Sequence, residues 1–254
     1  MSAIVIKIGG SVLENLKNIV KDMPEGDAIV VHGGAREVTI LAESLGIKQR
    51  FIISPSGMRS RYTDKKTMEI FQMVTAGKIN KEIVRLLEKN GRPAIGLCGL
   101  DFHLIRAKRK DKIIALVKGR KILIDGGYTG KITDVNTKFL NGIIAKGITP
   151  VIAPVAISEH YEPLNVDADS VAINIANAMN CRQAIFLTDV NGVLDENKKT
   201  IREIKLAEIS KLKVGQGMKR KLLEISKSHL EEVKILNGLR KNPFSDPVGT
   251  IIRR

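Results

Sequence analysis

The chain has 254 residues, 43% of them hydrophobic, enough to bury the core of one large α/β unit or of two small lobes sharing it. Its 42 Lys and Arg against 27 Asp and Glu leave a formal charge of +15, which fits an anionic substrate or partner. No apolar run approaches the roughly 18 residues a membrane helix needs, and no basic leader precedes the first strand, so no membrane association and a cytoplasmic location are expected.

The elements begin with AIVIKI, a strand-type run that ends in Lys7-Ile8-Gly9-Gly10-Ser11 and passes at once into the helical pattern SVLENLKNIVKDM. A second run, AIVV, leads through Gly33-Gly34 into REVTILAESLG. This alternation predicts parallel strands joined by crossover helices. The segment TDKKTMEIFQMVTAGKINKEIVRLLEKNG predicts a long helix with a Thr-Asp cap, closed at Gly91 and followed by the strand PAIGLCG. Residues 102–133 place strand-forming residues around tight Gly turns, as hairpins on the rim of the molecule would. The alternation resumes with helix NTKFLNGIIAKG, strand TPVIAPVAI, helix ADSVAINIANAMN and strand QAIFLTDV. A Gly-Lys-rich stretch with two helical segments follows, and the strand-like VKIL and GTIIRR close the chain. No repeat or linker is present, so a division into lobes is a hinge in continuous structure, placed near Asn180.

Strand, glycine pair and helix together form a phosphate-binding geometry: the glycines admit close backbone approach, and the helix N-terminus offers unpaired N–H groups. Here the arrangement occurs twice, at Gly9-Gly10 and at Gly33-Gly34, and two such turns at neighbouring strand ends define an anion site better than one. Lys7, two residues before the first turn, can reach the same anion. Neither a Walker sequence nor a dinucleotide fingerprint is present, since Gly130-Lys131 is followed by Ile132 and no GxGxxG opens a helix. His32, next to the second turn, could act as a base but reads better as a histidine packed at a strand end. Cys98 and Cys181 lack metal or CxxC spacing and read as buried apolar thiols with no disulfide.

The motifs KIGGS at Lys7, VHGG at Val31, NVDAD at Asn165 and GMKRK at Gly217, in this order over nearly the whole chain, resemble the amino acid kinase family. The long helix and LTDVNGVL are similar to the acetylglutamate kinase branch, and in particular to its relatives that phosphorylate a carboxylate carried by a small acidic protein. The resemblance implies an α/β fold, a three-layer αβα sandwich with a mainly parallel central sheet and rim hairpins. It also implies an N-terminal lobe, residues 1–180, for acceptor binding and dimerisation, and a C-terminal lobe, residues 181–254, for nucleotide. By the same resemblance Lys7 and Lys221 meet the transferring phosphoryl group, Gly10 and Gly34 supply N–H donors, and Asp169 holds the two lysines. Gly33, Gly34, Asn165 and an arginine of GMRSRYTD, Arg61 before Arg59, match the acceptor-binding residues. Lys7, Gly9, Gly10, Thr188, Asp189, Leu194, Met218 and Lys221 match the nucleotide site. ATP with Mg²⁺ is the implied cofactor pair, the ion arriving on the nucleotide and no protein group ligating it.

The arginine loop is two residues longer than the usual Gly, apolar, Arg, apolar, Thr of acetylglutamate kinases, which resembles the carrier-dependent enzymes. The expected reaction is therefore phosphorylation of aminoadipate or glutamate borne by the amino-group carrier protein LysW, in lysine and sometimes arginine biosynthesis. Free N-acetylglutamate is the alternative acceptor. A first strand at Ala3, without the extra helix of arginine-inhibited relatives, implies a homodimer. A nucleic-acid-binding or nucleotide-sensing module fits less well, because aromatic content is 4% with no Trp and both lysines are present. The stretch 106–121, eight basic residues and one acid, is the expected carrier-docking surface, with Lys108, Arg109, Lys110, Lys118 and Arg120 named on it.

Overall fold

The computed structural model describes residues 3–254. Its centre is an eight-stranded sheet assembled from runs of Ile and Val. In chain order its first elements are β1 (Ile4–Ile8), α1 (Leu16–Lys21), β2 (Ala28–His32) and α2 (Ala35–Ser44). An antiparallel hairpin follows, β3 (Arg50–Ile53) with β4 (Arg59–Tyr62), which periodicity alone does not reveal. The predicted long helix is α3 (Lys65–Gln72), a π-helical stretch (Met73–Ile79) and α4 (Asn80–Lys89). Asp64 caps α3, its carboxylate accepting from the Thr67 N–H at 2.8 Å.

After β5 (Ala94–Cys98) the rim is built from β6 (Ile105–Arg109), β7 (Lys112–Val117), β8 (Arg120–Asp125) and β9 (Gly130–Val135). β7 and β8 form one antiparallel hairpin, and β6 pairs with β9 around it. Then come α5 (Thr137–Ile144), β10 (Thr149–Ala153), β11 (Val155–Ile157), β12 (Pro163–Asn165), α6 (Ala168–Ala178) and β13 (Gln183–Thr188). TPVIAPVAI, predicted as a single strand, is two: Pro154, which has no N–H for a ladder, separates β10 in the central sheet from β11 in a second, four-stranded sheet. The chain ends with β14 (Glu203–Lys205), α7 (Gln216–Ile225), β15 (Glu232–Asn237) and β16 (Gly249–Arg253).

The central order is β14-β16-β15-β13-β1-β2-β10-β5, parallel except between β15 and β16. Strands from residues 181–254 make one half of this sheet and strands from the preceding chain the other, with β13 and β1 adjacent. The pleat sends successive side chains to opposite faces. Val5, Val31 and Phe186 pack with the apolar sides of α5, α6 and α7, whereas Ile6, Ile8 and Val30 pack with those of α1 to α4. The result is helix, sheet, helix, as the doubly covered parallel sheet requires. Lys7 has the parity of Val5, which turns it toward α6 and α7. Cys98 and Cys181 are free and buried, and burial first of all pushes both thiols up to about 11.

Candidate active site

Parallel register sets the site. Lys7 lies opposite Val31 on one side and Phe186 on the other, so the turns after β1, β2 and β13 emerge at the same edge. The first two turns touch through backbone. A Cβ on Gly10 would lie 3.1 Å from the Gly34 nitrogen, and one on Gly33 would lie 3.0 Å from the Gly10 nitrogen. Gly9 is equally constrained, its N–H bonding the Leu187 carbonyl at 3.0 Å, where a Cβ would stand 2.7 Å from that oxygen. Among the described residues, the Gly10 and Gly34 N–H groups have no hydrogen-bond partner.

Beside these turns, Lys7, Asp169 and Lys221 converge from β1, α6 and α7, all buried. The Lys7 ammonium is 2.7 Å from one Asp169 oxygen, and the Lys221 ammonium is 3.1 and 3.0 Å from the two. Asp169 is placed by its helix: Asp167, the N-cap of α6, accepts from the Asp169 and Ser170 N–H groups at 2.9 and 3.1 Å. Burial alone would raise the Asp169 carboxyl, but the two ammonium groups reverse this and hold it well below the usual carboxylate range. Burial likewise acts to lower Lys7, yet the facing carboxylate outweighs it and leaves Lys7 above an ordinary lysine. Lys221 ends below one, through burial and then the repulsion of Lys7, against the pull of Asp169. Two ammonium groups thus share one carboxylate, with Asp167 a further, more distant anion for both lysines.

The other expected site residues fall into separate groups. Asn165, at the end of β12, donates to the Thr63 hydroxyl at 2.9 Å. Thr63 is fully buried, and the sequence suggests for it only a role in the helix cap. Arg61 is engaged: its guanidinium donates to Gln49, to the Ala35 carbonyl at 2.7 Å and to the Thr39 hydroxyl at 2.8 Å, tying the β3–β4 hairpin to α2. Arg59 instead stacks its guanidinium 3.6 Å from the Phe51 ring centroid. Its carbonyl accepts from Arg220 at 2.7 Å, so the hairpin reaches α7 one residue before Lys221. Thr63 and Arg220 lie within GMRSRYTD and GMKRK and Gln49 in no motif, and only the hairpin's position reveals the contacts these three make. Thr188 ends β13, its hydroxyl 3.2 Å from Asp189, which is exposed. Leu194 forms an isolated bridge with Thr200, and Met218, on α7, packs against the core.

Of the expected docking residues, Arg109 departs from expectation. It is half-buried, paired with Glu162 at 2.9 Å, bonded to the Gly127 carbonyl at 2.8 Å and stacked on Tyr128, so it is a structural group rather than a free surface charge. Lys108, Lys110, Lys118 and Arg120 are exposed, with Lys108 on β6 and the last two at the turn of the separate β7–β8 hairpin.

An electropositive, glycine-lined edge of a parallel α/β sheet, with two lysines fixed on one aspartate, is the architecture of a class that handles phosphoryl groups. Residues 2–234 match the amino acid kinase family, and the chain belongs to it. It is 44% identical over 252 residues to a chain of Cenarchaeum symbiosum, covering 95% of this chain and 94% of that one, whose assignment as a LysW-aminoadipate/LysW-glutamate kinase is provisional. It is 40% identical over 246 residues to the LysW-aminoadipate/LysW-glutamate kinase of Metallosphaera sedula, covering 93% of each, and 39% over 262 residues to that of Saccharolobus solfataricus, covering 98% of each. Among solved structures it is similar to N-acetylglutamate synthase from Neisseria gonorrhoeae, with TM-score 0.82 and 18% identity, covering 100% of this chain and 59% of that longer one. It is also similar to the T. acidophilum isopentenyl phosphate kinase, with TM-score 0.58 and 19% identity over 100% of both chains. Likeness at such identities shows the fold.

Proposed function

We propose that this kinase transfers the γ-phosphoryl group of ATP to the side-chain carboxylate of aminoadipate or glutamate carried by LysW, forming an acyl phosphate in lysine and arginine biosynthesis. Its relatives' names supply the acceptor. The observation that carries the chemistry is the convergence of the buried Lys7 and Lys221 ammonium groups on Asp169. A phosphoryl group in transfer spreads charge over its equatorial oxygens, and catalysis is mainly the prior placement of cations and N–H donors there. Lys7, Lys221 and the Gly10 and Gly34 N–H groups are those donors. An acceptor carboxylate, with an ordinary pKa of about 4.3, is already ionised at neutral pH, so no base is required. Its oxygen forms the new P–O bond as the bond to the departing ADP oxygen breaks. Asp169 orients the lysines, since both its oxygens are taken by ammonium groups.

In this reading the nucleotide lies over residues 181–254, against Gly9, Thr188, Asp189, Leu194 and Met218. The acceptor lies over residues 1–180, against Gly33, Gly34 and Asn165, with Arg61 or Arg59 at its carboxylate. Mg²⁺ would neutralise charge between the transferring and departing phosphates, held by the nucleotide's own oxygens and water. We place the enzyme in the cytoplasm as a homodimer. The test compares turnover on free N-acetylglutamate with turnover on LysW-linked glutamate and LysW-linked aminoadipate. Hydroxylamine should trap a hydroxamate only when ATP, Mg²⁺ and a carrier-linked acceptor are all present. Preference for free acetylglutamate would overturn the carrier assignment, and a hydroxylamine-stable product would overturn the acyl phosphate.

A further inference from the structure

On the face of the sheet away from Lys7, two fully buried polar side chains lie directly behind the second glycine turn. His32, the last residue of β2, has the parity of Val30 and points toward α4. Its Nδ1 is 2.9 Å from the Gly33 carbonyl oxygen, and its Nε2 is 3.4 Å from the Asn80 amide nitrogen. Asn80 begins α4 where the π-helical stretch ends. The same amide nitrogen is 2.9 Å from the Val151 carbonyl and 3.4 Å from the Leu97 carbonyl. Both of those are acceptors only, so this end of the amide is the NH₂, and toward it the His32 Nε2 can only be an acceptor. The ring proton therefore sits on Nδ1 and is donated to the Gly33 carbonyl. The amide oxygen of Asn80 points the other way, 3.3 Å from the Lys81 ammonium, into space that exists because residue 96 is glycine; a Cβ there would stand 1.9 Å from it.

The Gly33 carbonyl and the Gly34 N–H belong to one peptide plane, and in a trans peptide they point in opposite directions. We infer that His32 is a positioning residue: by holding the Gly33 carbonyl on the far side of the sheet, it aims the Gly34 N–H at the transferring phosphoryl group. This rests on the phosphoryl-transfer reading above. The need is physical, because a Gly-Gly peptide has little steric preference and can rotate its plane. A rotated plane would set a carbonyl oxygen, in place of a donor, against the anion. Burial keeps the imidazole neutral, its pKa pulled down to about 4 against the opposing bond to Gly33 and with the help of the Lys7 charge, so the single ring proton stays on the Gly33 side.

Two measurements test it. In ¹⁵N NMR of the whole protein, the His32 ring should carry its proton on Nδ1 and an unprotonated Nε2; the reverse tautomer would overturn the inference. In steady-state kinetics on the carrier-linked acceptor, His32→Leu should lower kcat roughly tenfold to a hundredfold, short of the loss expected for deleting an anion-hole donor outright, with little change in KM for ATP. His32→Asn, whose amide nitrogen can replace Nδ1, should recover most of that loss, whereas His32→Gln, whose nitrogen reaches the Nε2 position, should not. Equal kcat for the Asn and Gln variants, each normalised to folded protein, would overturn it, and this pair serves if the Leu variant does not fold. A parent enzyme inert on carrier-linked acceptors would instead overturn the substrate reading. The ring tautomer of the parent, together with a Gly34 amide shift on adding Mg-ATP that is present in His32→Asn and lost in His32→Gln, would then still decide the role of His32.

Discussion

Lys7, Asp169 and Lys221 show how burial turns ordinary charges into a device. In water an ammonium–carboxylate pair is worth little, but here each partner has lost solvent and the geometry is fixed by three separate elements. Replacing either lysine with Ala should lower kcat by about 10² or more while nucleotide affinity changes less, because the charge is needed most when the phosphoryl group is in flight. A rise confined to the KM for ATP would contradict that role. Asp169→Asn should act similarly, since the lysines lose their common anchor. His32 makes a separate prediction about stability. Its folded pKa of about 4 lies below the unfolded value of 6.5, so between these values the unfolded chain binds a proton that the native one does not. Stability is then lost as pH falls through this window, by up to about 3 kcal/mol from this group, and is fully restored above pH 6.5. Urea unfolding at pH 7 and pH 4.5 should show a smaller difference for His32→Asn than for the parent, and an equal difference would exclude the histidine as its source.

At the scale of elements, the site depends on how closely two strand-to-helix turns approach. Gly33→Ala places a methyl 3.0 Å from the Gly10 nitrogen, which is backbone and cannot rotate away. The substitution should part the two turns and lower kcat by roughly tenfold or more, well above its effect on the melting temperature, because donors must sit at about 3 Å from the developing charge. Thermal melts beside kinetics check this, and an unaltered kcat would mean that the turns do not act together. Helix α3 makes a prediction about stability. Asp64→Ala removes the bond to the Thr67 N–H and should cost about 1 kcal/mol in urea unfolding, with kcat of the folded enzyme retained.

For the whole molecule, the +15 charge acquires a use if the acceptor arrives on an acidic carrier. Arg109 is committed to Glu162, so the exposed Lys108, Lys110, Lys118 and Arg120 are the side chains of the stretch named for docking that can attract such a partner through solvent. Charge of this kind acts on encounter and is screened over about 8–10 Å at physiological salt. Reversing Lys118 and Arg120 to Glu should raise the KM for the carrier-linked acceptor and leave kcat at saturation nearly unchanged. Added salt should do the same to the parent enzyme. Carrier KM measured against ionic strength for both proteins decides it, and salt-independent kinetics would remove these residues from the docking surface.

The sequence by itself determined the alternation of strands and helices, the two glycine turns and the place of Lys7 before the first of them, whereas Lys221, on a helix, was named only through the family resemblance. These are legible because pleat and helix impose short periods, and because a glycine or lysine beside a strand end has few other purposes. It could not determine that TPVIAPVAI divides between two sheets, since a strand's partners lie far away in the chain. Nor could it show the β3–β4 hairpin, whose exposed residues alternate weakly and whose place is set by Arg61 on α2 and Arg220 from α7. His32 is the clearest case. Next to a glycine pair it could have been a base or filler, and its proton acquires a definite seat only when α4, β5 and β10 bring Asn80, Leu97 and Val151 to the other side of the ring. Periodicity fixes which face a side chain takes, whereas the partner that completes its hydrogen bonds comes from chain closure over tens of residues, and only the assembled sheet supplies it.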